Sequence, residues 1–367
     1  MKQAASDTPM TTLTPPLPAT AAPTVHPGTT TGTEKATPAA ALPRLGLGGA
    51  AIGNLFHPVS QEDARALLDR AWSDGCRRYD TAPHYGHGLS EHRMGEVLRA
   101  RPRADYTLSS KVGRLLTPRQ TVPREQFCYV DGLPFVQHWD FSVGGTRRSI
   151  EDSLQRLGLS RLDIAYVHDM DAQTHGVDGD RVLRQVLDET LPTLAQMRRE
   201  GLVGAIGLGV NDEQAVLQVL RHADLDAVLI AGRYSLLDHA ALPEMLPQCL
   251  ARGVRVSLGG VFNSGLLATG AQRAGATFNY QPAAAHWLER TAQIEAVCER
   301  HHVPLRAAAL QFPLAHAAVT ELMLGARRQE EWDDGLARRA HAIPAAFWDE
   351  LRHEHLLPEQ APVPGAR

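Results

Sequence analysis

Four cysteines in 367 residues, none in a Cys-x-x-Cys spacing, leave little from which to build a disulfide framework or a thiolate metal site. Cys76, Cys128, Cys249 and Cys298 are scattered along the chain and read as reduced thiols of an intracellular, cytoplasmic protein. No uninterrupted apolar run is long enough to span a bilayer, and the first residues lack the apolar segment of a secretory leader. Basic runs are missing too. The 37 Lys and Arg are spread among 41 Asp and Glu for a net charge of −4, which argues against a nucleic-acid partner. The 17 histidines form no HExxH, and His84-x-x-His87 has no further ligands near it, so no metal site is expected. His301, His302, His353 and His355 fall on polar, helix-like stretches and read as surface residues.

What the chain does have is a 43% hydrophobic content, enough for one large core or two modest ones. Residues 1–42 stand apart: they are Thr, Pro and Ala with almost no large apolar side chains, a composition that predicts a disordered tail. Residues 43–360 read as one domain. Strand-like runs are predicted at 45–48, 78–81, 106–111, 162–168, 203–207, 227–231, 254–258 and 321–324. Helical periodicity fills the gaps, as in 61–74, where Ala64, Leu67, Leu68 and Ala71 share a stripe, and in 147–157, which ends at Gly158. Further helical segments are 182–200, 212–222, 242–252, 284–301 and 305–317. Eight such alternations in a little over 300 residues predict a closed (β/α)8 barrel of parallel strands. Two long connections exceed the bare repeat: 114–140 after the third strand and 262–280 after the seventh. Both follow strand C-termini, the functional face of such barrels.

Polar residues gather at those strand ends: Asp80 with Tyr85 just beyond, Lys111, His168 with Asp169, and Asn211. Any one of them alone is most simply a salt-bridged rim residue. Arriving together on the second, third and fourth strands, Asp80, Tyr85, Lys111 and His168 would converge on one part of the mouth. An ordinary phenol, with a pKa near ~10, is poorly placed for proton transfer at neutral pH. A neighbouring ammonium favours its phenolate, a carboxylate holds that ammonium in place, and a histidine can orient a substrate oxygen. Such a set moves protons but cannot change a carbon's oxidation state, so a hydride carrier is implied. Gly46-Leu47-Gly48-Gly49-Ala50-Ala51 formally matches a dinucleotide-binding glycine motif. The following helix, however, begins well downstream, with Pro58, an N-cap at Ser60 and Asp63 three residues on, which argues against a Rossmann unit. A glycine-rich strand end that admits a ligand is the better reading.

The stretches Tyr79-Asp80-Thr81-Ala82-Pro83-His84-Tyr85-Gly86, Ser109-Ser110-Lys111-Val112-Gly113-Arg114 and Tyr166-Val167-His168 resemble the aldo-keto reductase superfamily, as does the segment 149–158. The resemblance runs from about Pro43 to Pro344. It implies a barrel that uses NAD(P) without a Rossmann domain and acts on a small-molecule substrate. Carried over, Tyr85 would be the general acid or base, Lys111 would lower its pKa, Asp80 would pair with Lys111, and His168 would orient the substrate oxygen. Asn211 would bind the nicotinamide carboxamide, with Val210 where a Ser is common. Tyr234 would stack under the nicotinamide, with Ala231 where a Gln is usual and Arg233 nearby. Asn263, Ser264, Gly265 and Leu266 would form the pyrophosphate loop, and Gly325, Ala326, Arg327 and Arg328 the grip on the adenosine end. Gly335 stands where an adenine-contacting Asn is expected and Glu331 where an Arg often holds a 2′-phosphate, which favours NAD over NADP.

Gly113-Arg114-Leu115-Leu116, His168-Asp169-x-Asp171, the segment 231–237 and the segment 260–265 resemble the branch of D-threo-aldose 1-dehydrogenases and pyridoxal 4-dehydrogenases. Oxidation of a cyclic hemiacetal hydroxyl to a lactone is the activity this implies, on an aldose of the L-fucose, L-galactose or D-arabinose type. Pyridoxal oxidation is the alternative on the same machinery. A non-catalytic subunit that senses nicotinamide redox state is a reading of another class, disfavoured by the joint presence of Tyr85 and Lys111. His84, His87, Trp139 and Phe141 are candidates to line the substrate site. The sequence does not indicate an oligomeric state.

Overall fold

The computed structural model describes residues 44–365. The predicted tail at 1–42 lies outside them. Eight parallel strands close into a barrel in strictly sequential order. They are β1 (Leu45–Gly48), β2 (Arg78–Asp80), β3 (Thr107–Val112), β4 (Leu162–His168), β5 (Val203–Val210), β6 (Ala227–Ala231), β7 (Arg255–Gly259) and β8 (Val319–Gly325). Closure is made by β1 against β8, from Leu45 opposite Leu322 to Gly48 opposite Gly325.

Ile164, Tyr166, Ala205, Ala227, Leu229 and Met323 form a small buried cluster of their own, supplied entirely by strands β4, β5, β6 and β8. A much larger apolar layer, in which Leu67, Leu154, Leu194, Val216 and Leu246 pack with the strands, joins the barrel to its helices. Helix boundaries follow local chemistry. Ser60 caps Gln61–Ser73 by accepting from the Asp63 amide, and Ser142 caps Val143–Leu157 by accepting from Gly145. That second helix ends at Gly158, whose φ of +65° suits glycine. The four cysteines are free. Among the described residues no helix is long and apolar enough to cross a membrane.

Both predicted long connections carry structure of their own. After β3, Arg114–Pro118 pairs antiparallel with Phe135–Trp139, and Glu125–Gln126 pairs with Tyr129–Val130. The second of these hairpins is tied to the loop after β1: Phe56 N donates to Cys128 O at 2.7 Å and Val130 N to Asn54 O at 3.1 Å. After β7 come a short helix, Leu266–Thr269, and a two-residue pairing of Thr277–Phe278 with Gln281–Pro282. These insertions roof the C-terminal mouth of the barrel.

Candidate active site

Asp80 ends β2 and Lys111 lies near the end of the neighbouring strand β3, so the barrel register brings the two side chains together below the mouth. Lys111 Nζ donates to Asp80 Oδ2 at 2.7 Å and to the Thr81 carbonyl at 2.9 Å, while Ser109 Oγ holds Asp80 Oδ1 at 2.7 Å. Both partners are almost fully enclosed, with side chains 1% and 4% exposed. Space for the lysine stem comes from β5. A Cβ at Gly209 would stand 3.3 Å from Lys111 Cε, so a larger residue there would crowd the ammonium out of position.

Tyr85 sits above this pair on the loop after β2, half-buried, with Lys111 Nζ 4.6 Å from its ring centroid. His168, at the end of β4, meets the Tyr85 ring edge-on at 6.1 Å, and Tyr129 from the inserted hairpin stacks against it at 6.1 Å. Burial pushes the His168 imidazole well below its ordinary pKa, and the Arg114, Lys111 and His84 charges push it the same way. It is therefore neutral at physiological pH. For Tyr85 the expected direction is reversed. Burial, followed by the Asp80 carboxylate, drives the phenol well above its ordinary pKa. Lys111 is bound to Asp80, so its charge is largely answered before it reaches the phenol.

These residues open onto two connected spaces. A cavity of about 150 Å³ is walled by Tyr85, Lys111, His168, Asp169, His84 and Asn211, with Phe127, Cys128, Tyr129 and Tyr280 from the roof. A longer cleft of about 710 Å³ starts at Asp80 and Tyr85, passes Gly48 and Ala50, and follows Ser264 and Gly265 to Gly325, Arg327 and Glu331. Arg273 lines that cleft as well. A Cβ at Gly265 or Gly325 would meet no atom within 4 Å, so the backbone there borders open space. An elongated cleft with cations at one end and the Asp80, Lys111 and Tyr85 cluster at the other fits a nicotinamide dinucleotide in size and polarity.

Several sequence expectations need correction. Tyr234 does not face the mouth. Arg233 points there, donating to the Asn211 carbonyl at 2.7 Å, so its neighbour turns the other way and packs, 1% exposed, against Phe312 and His316. Tyr280, in the loop after β7, lines the small cavity from its roof. His87 is fully buried, with both ring nitrogens unpartnered and a pKa pushed down to about 4 by burial; it packs against Phe127 and lines neither space. Trp139 and Phe141 stack on each other outside both spaces. Asn263 uses its side chain internally, donating to Gly232 O and accepting from Ser235 Oγ. Leu266 is buried, leaving Ser264 and Gly265 as the cleft-lining part of that loop. Arg328 is exposed beyond the cleft wall. Gly335 lies in helix Gln329–Arg339, where a Cβ would come within 2.4 Å of Leu324 Cδ2; it is a packing glycine, with no room for an adenine-contacting side chain.

Glu331 has a different job from the simple repulsion expected of it. It closes on Arg327, accepting from its backbone N at 2.8 Å and from its guanidinium Nη2 at 2.6 Å. Sequence reasoning also passed over a second buried pair. Arg114 Nη2 donates to Asp169 Oδ2 at 2.8 Å, and its guanidinium lies 4.1 Å over the Trp139 ring. Both residues stood inside recognised motifs, but nothing in a linear motif says that they meet.

Comparison with known proteins agrees with this geometry. The sequence profile described as the aldo/keto reductase family matches residues 44–353. A D-threo-aldose 1-dehydrogenase from a Pseudomonas species is 40% identical over 334 residues, covering 89% of this chain and 98% of the relative. A pyridoxal 4-dehydrogenase from Microbacterium luteolum is 41% identical over 325 residues, covering 85% and 94%. In fold, the chain matches a holo-form aldo-keto reductase from Bacillus halodurans with a TM-score of 0.65 at 22% identity, covering 87% of this chain and 94% of the other.

Proposed function

The chain belongs to the aldo/keto reductase family of oxidoreductases, which use NAD(P)H, and from that premise we propose that it oxidises the C1 hemiacetal hydroxyl of an aldose to a lactone. The observation that carries the proposal is the convergence of Tyr85, Lys111 and His168 on one small cavity, with Asp80 holding Lys111 and lining the adjoining long cleft. The near full-length similarity to a D-threo-aldose 1-dehydrogenase supports the substrate class.

Bound NAD(P) supplies the two-electron acceptor for the hydride that leaves C1. The chain's own residues handle the proton and the positioning. Asn211, Ser264, Gly265, Gly325, Arg273 and Arg327 line the spaces that would hold the cofactor. Neutral His168 presents a ring N–H to the reacting oxygen. Tyr85 Oη takes the hydroxyl proton in oxidation and returns it in reduction. Because burial and Asp80 favour the phenol, Tyr85 rests protonated, ready for reduction, and must lose its proton before it can serve oxidation. The Lys111 ammonium, anchored by Asp80 and 4.6 Å from the Tyr85 ring centroid, is the adjacent cation that offsets part of the cost of that loss.

Pairing of Glu331 with Arg327 supports NAD as the preferred cofactor, since the guanidinium that could meet a 2′-phosphate is already engaged. Pyridoxal is the second reading. The aromatic roof of Phe127, Tyr129 and Tyr280 offers faces to a planar ring, and the similarity to a pyridoxal 4-dehydrogenase favours it. A rate assay at 340 nm over L-fucose, L-galactose, D-arabinose and pyridoxal, with NAD and NADP, decides among these. Tyr85→Phe is expected to lose turnover by about 100-fold or more while cofactor binding persists. Wild-type rates in that variant would end the mechanism.

A further inference from the structure

The wall of the small cavity holds a carboxylate that proton transfer does not use. Asp169 follows His168 directly, at a φ of +43° that carries its side chain towards the mouth. Its amide donates to Gly209 O at 3.0 Å and its carbonyl accepts from His175 Nε2 at 2.9 Å, so its backbone is fixed on both sides. Oδ2 takes the Arg114 hydrogen bond at 2.8 Å and lies 3.5 Å from His168 Nε2. Oδ1 accepts no hydrogen bond from any other of the described residues.

Arg114 is itself held in place. Its guanidinium rests on Trp139, which is stacked on Phe141 and met edge-on by His175 at 4.6 Å. A buried ion pair of this kind adds little to net stability, because desolvation offsets most of its Coulomb attraction. Four aromatic and cationic side chains thus fix one carboxylate beside the group that meets the reacting oxygen.

We propose that Asp169 selects substrates bearing a hydroxyl on the carbon next to the reacting one, accepting that hydroxyl's hydrogen bond at Oδ1 while Arg114 acts as its positioning residue. This rests on the aldose reading given above. The oxygens of neighbouring hydroxyls stand roughly one hydrogen-bond length apart, so an oxygen seated at His168 brings the next hydroxyl to Asp169. A bound substrate without that hydroxyl shields the cavity-facing Oδ1 from water and gives it no donor in return, which discriminates more strongly than a lost apolar contact.

The test compares kcat/KM for L-fucose, L-galactose and D-arabinose, each beside its 2-deoxy counterpart, in wild type, Asp169→Ala and Asp169→Asn. The isosteric Asn variant guards against a folding failure of the Ala variant. Wild type is expected to prefer the parent sugar on the order of 10- to 100-fold, and the ratio to fall towards one in both variants. Arg114→Met should reduce the ratio in the same direction, which a purely structural role for Arg114 would not do. Equal losses on both sugars, leaving the wild-type ratio intact, overturn the assignment. A wild type that oxidises parent and 2-deoxy sugars alike overturns it too, while leaving the aldose reading standing. A wild type that oxidises neither overturns the aldose reading and this inference with it.

Discussion

Replacing Asp80 by Asn tests the centre of the site through stability as well as rate. The substitution keeps the volume and leaves an oxygen for Ser109, but it sets an amide opposite the Lys111 ammonium at the position where a carboxylate oxygen now stands 2.7 Å away. Lys111 would remain enclosed with a single carbonyl partner, Thr81 O. Breaking a buried pair from one side costs about 3–5 kcal/mol, because the remaining charge has lost its compensation. Unfolding entropy of ~2.1 cal/mol/K per residue, over the roughly 320 described residues, converts that to a Tm decrease of about 4–7 °C. The double variant Asp80→Asn/Lys111→Met removes the stranded charge and should recover about half of the loss, leaving the cost of the unpartnered Thr81 carbonyl. Thermal unfolding by circular dichroism at pH 7.5 on wild type, both single variants and the double variant gives the coupling directly. If the double variant loses the sum of the single-variant losses, the two residues are not acting as a buried ion pair and the reasoning fails.

Other outcomes follow from the same geometry. The rate of oxidation should rise with pH across the range from 7 to 9, because the phenol of Tyr85 is held above its ordinary pKa and its deprotonated form is the one that accepts a proton; a flat profile in pre-steady-state turnover would refute this. Burial raises the Asp169 carboxyl to about 6 against the opposing Arg114 charge, whereas His168 and His84 are pushed well below the usual imidazole range. An acid limb near pH 6 in kcat/KM for an aldose should therefore vanish in Asp169→Asn, and its persistence would assign it elsewhere. Glu331→Gln should free the Arg327 guanidinium and lower KM for NADP several-fold while changing KM for NAD little; an unchanged NADP titration would show that the pair does not govern preference. Tyr280→Ala should raise KM for substrate or cofactor, and Tyr234→Phe should leave both kinetic constants near wild type, which separates the wall tyrosine from the packed one.

The barrel was legible because parallel strands buried on both faces read as short apolar runs, and β1, β4 and β6 fall at the predicted residues. Helix Leu89–Leu98 was missed for a physical reason: its buried face mixes Ser90, Glu91 and Arg93 with Met94, Val97 and Leu98, so the apolar stripe covers only its second half. The charged residues are satisfied by distant partners, Glu91 by Ser110 and Arg156, and Arg93 by Ile52 O and Val59 O, which periodicity cannot reveal. Helix Gln329–Arg339 buries only Trp332 and Gly335, too little for a pattern. Within the site, Asp80, Lys111 and His168 could be placed because they end strands whose order fixes their neighbours. Tyr234 could not, because alignment gives position along the chain and not the side on which a ring emerges after the turn at Gly232. His87 and Trp139 were misplaced likewise, since the hairpins that pack over His87 and carry Trp139 have two- to five-residue strands with no periodic signature.

The roof and the floor of the small cavity come from separate parts of the chain. Asp80, Lys111 and His168 are held by the closed register of β2, β3 and β4, whereas Phe127, Cys128 and Tyr129 hang from a hairpin anchored to the loop after β1 by two backbone hydrogen bonds. Exchanging that hairpin therefore leaves the strand-borne Asp80, Lys111 and His168 in register and alters which molecules are admitted, but through Tyr129, stacked on Tyr85 at 6.1 Å, it also reaches the proposed proton-transfer residue. A combinatorial library over residues 124–128, 130 and 131, with Tyr129 retained, would sample new substrate ranges while keeping that stack in place.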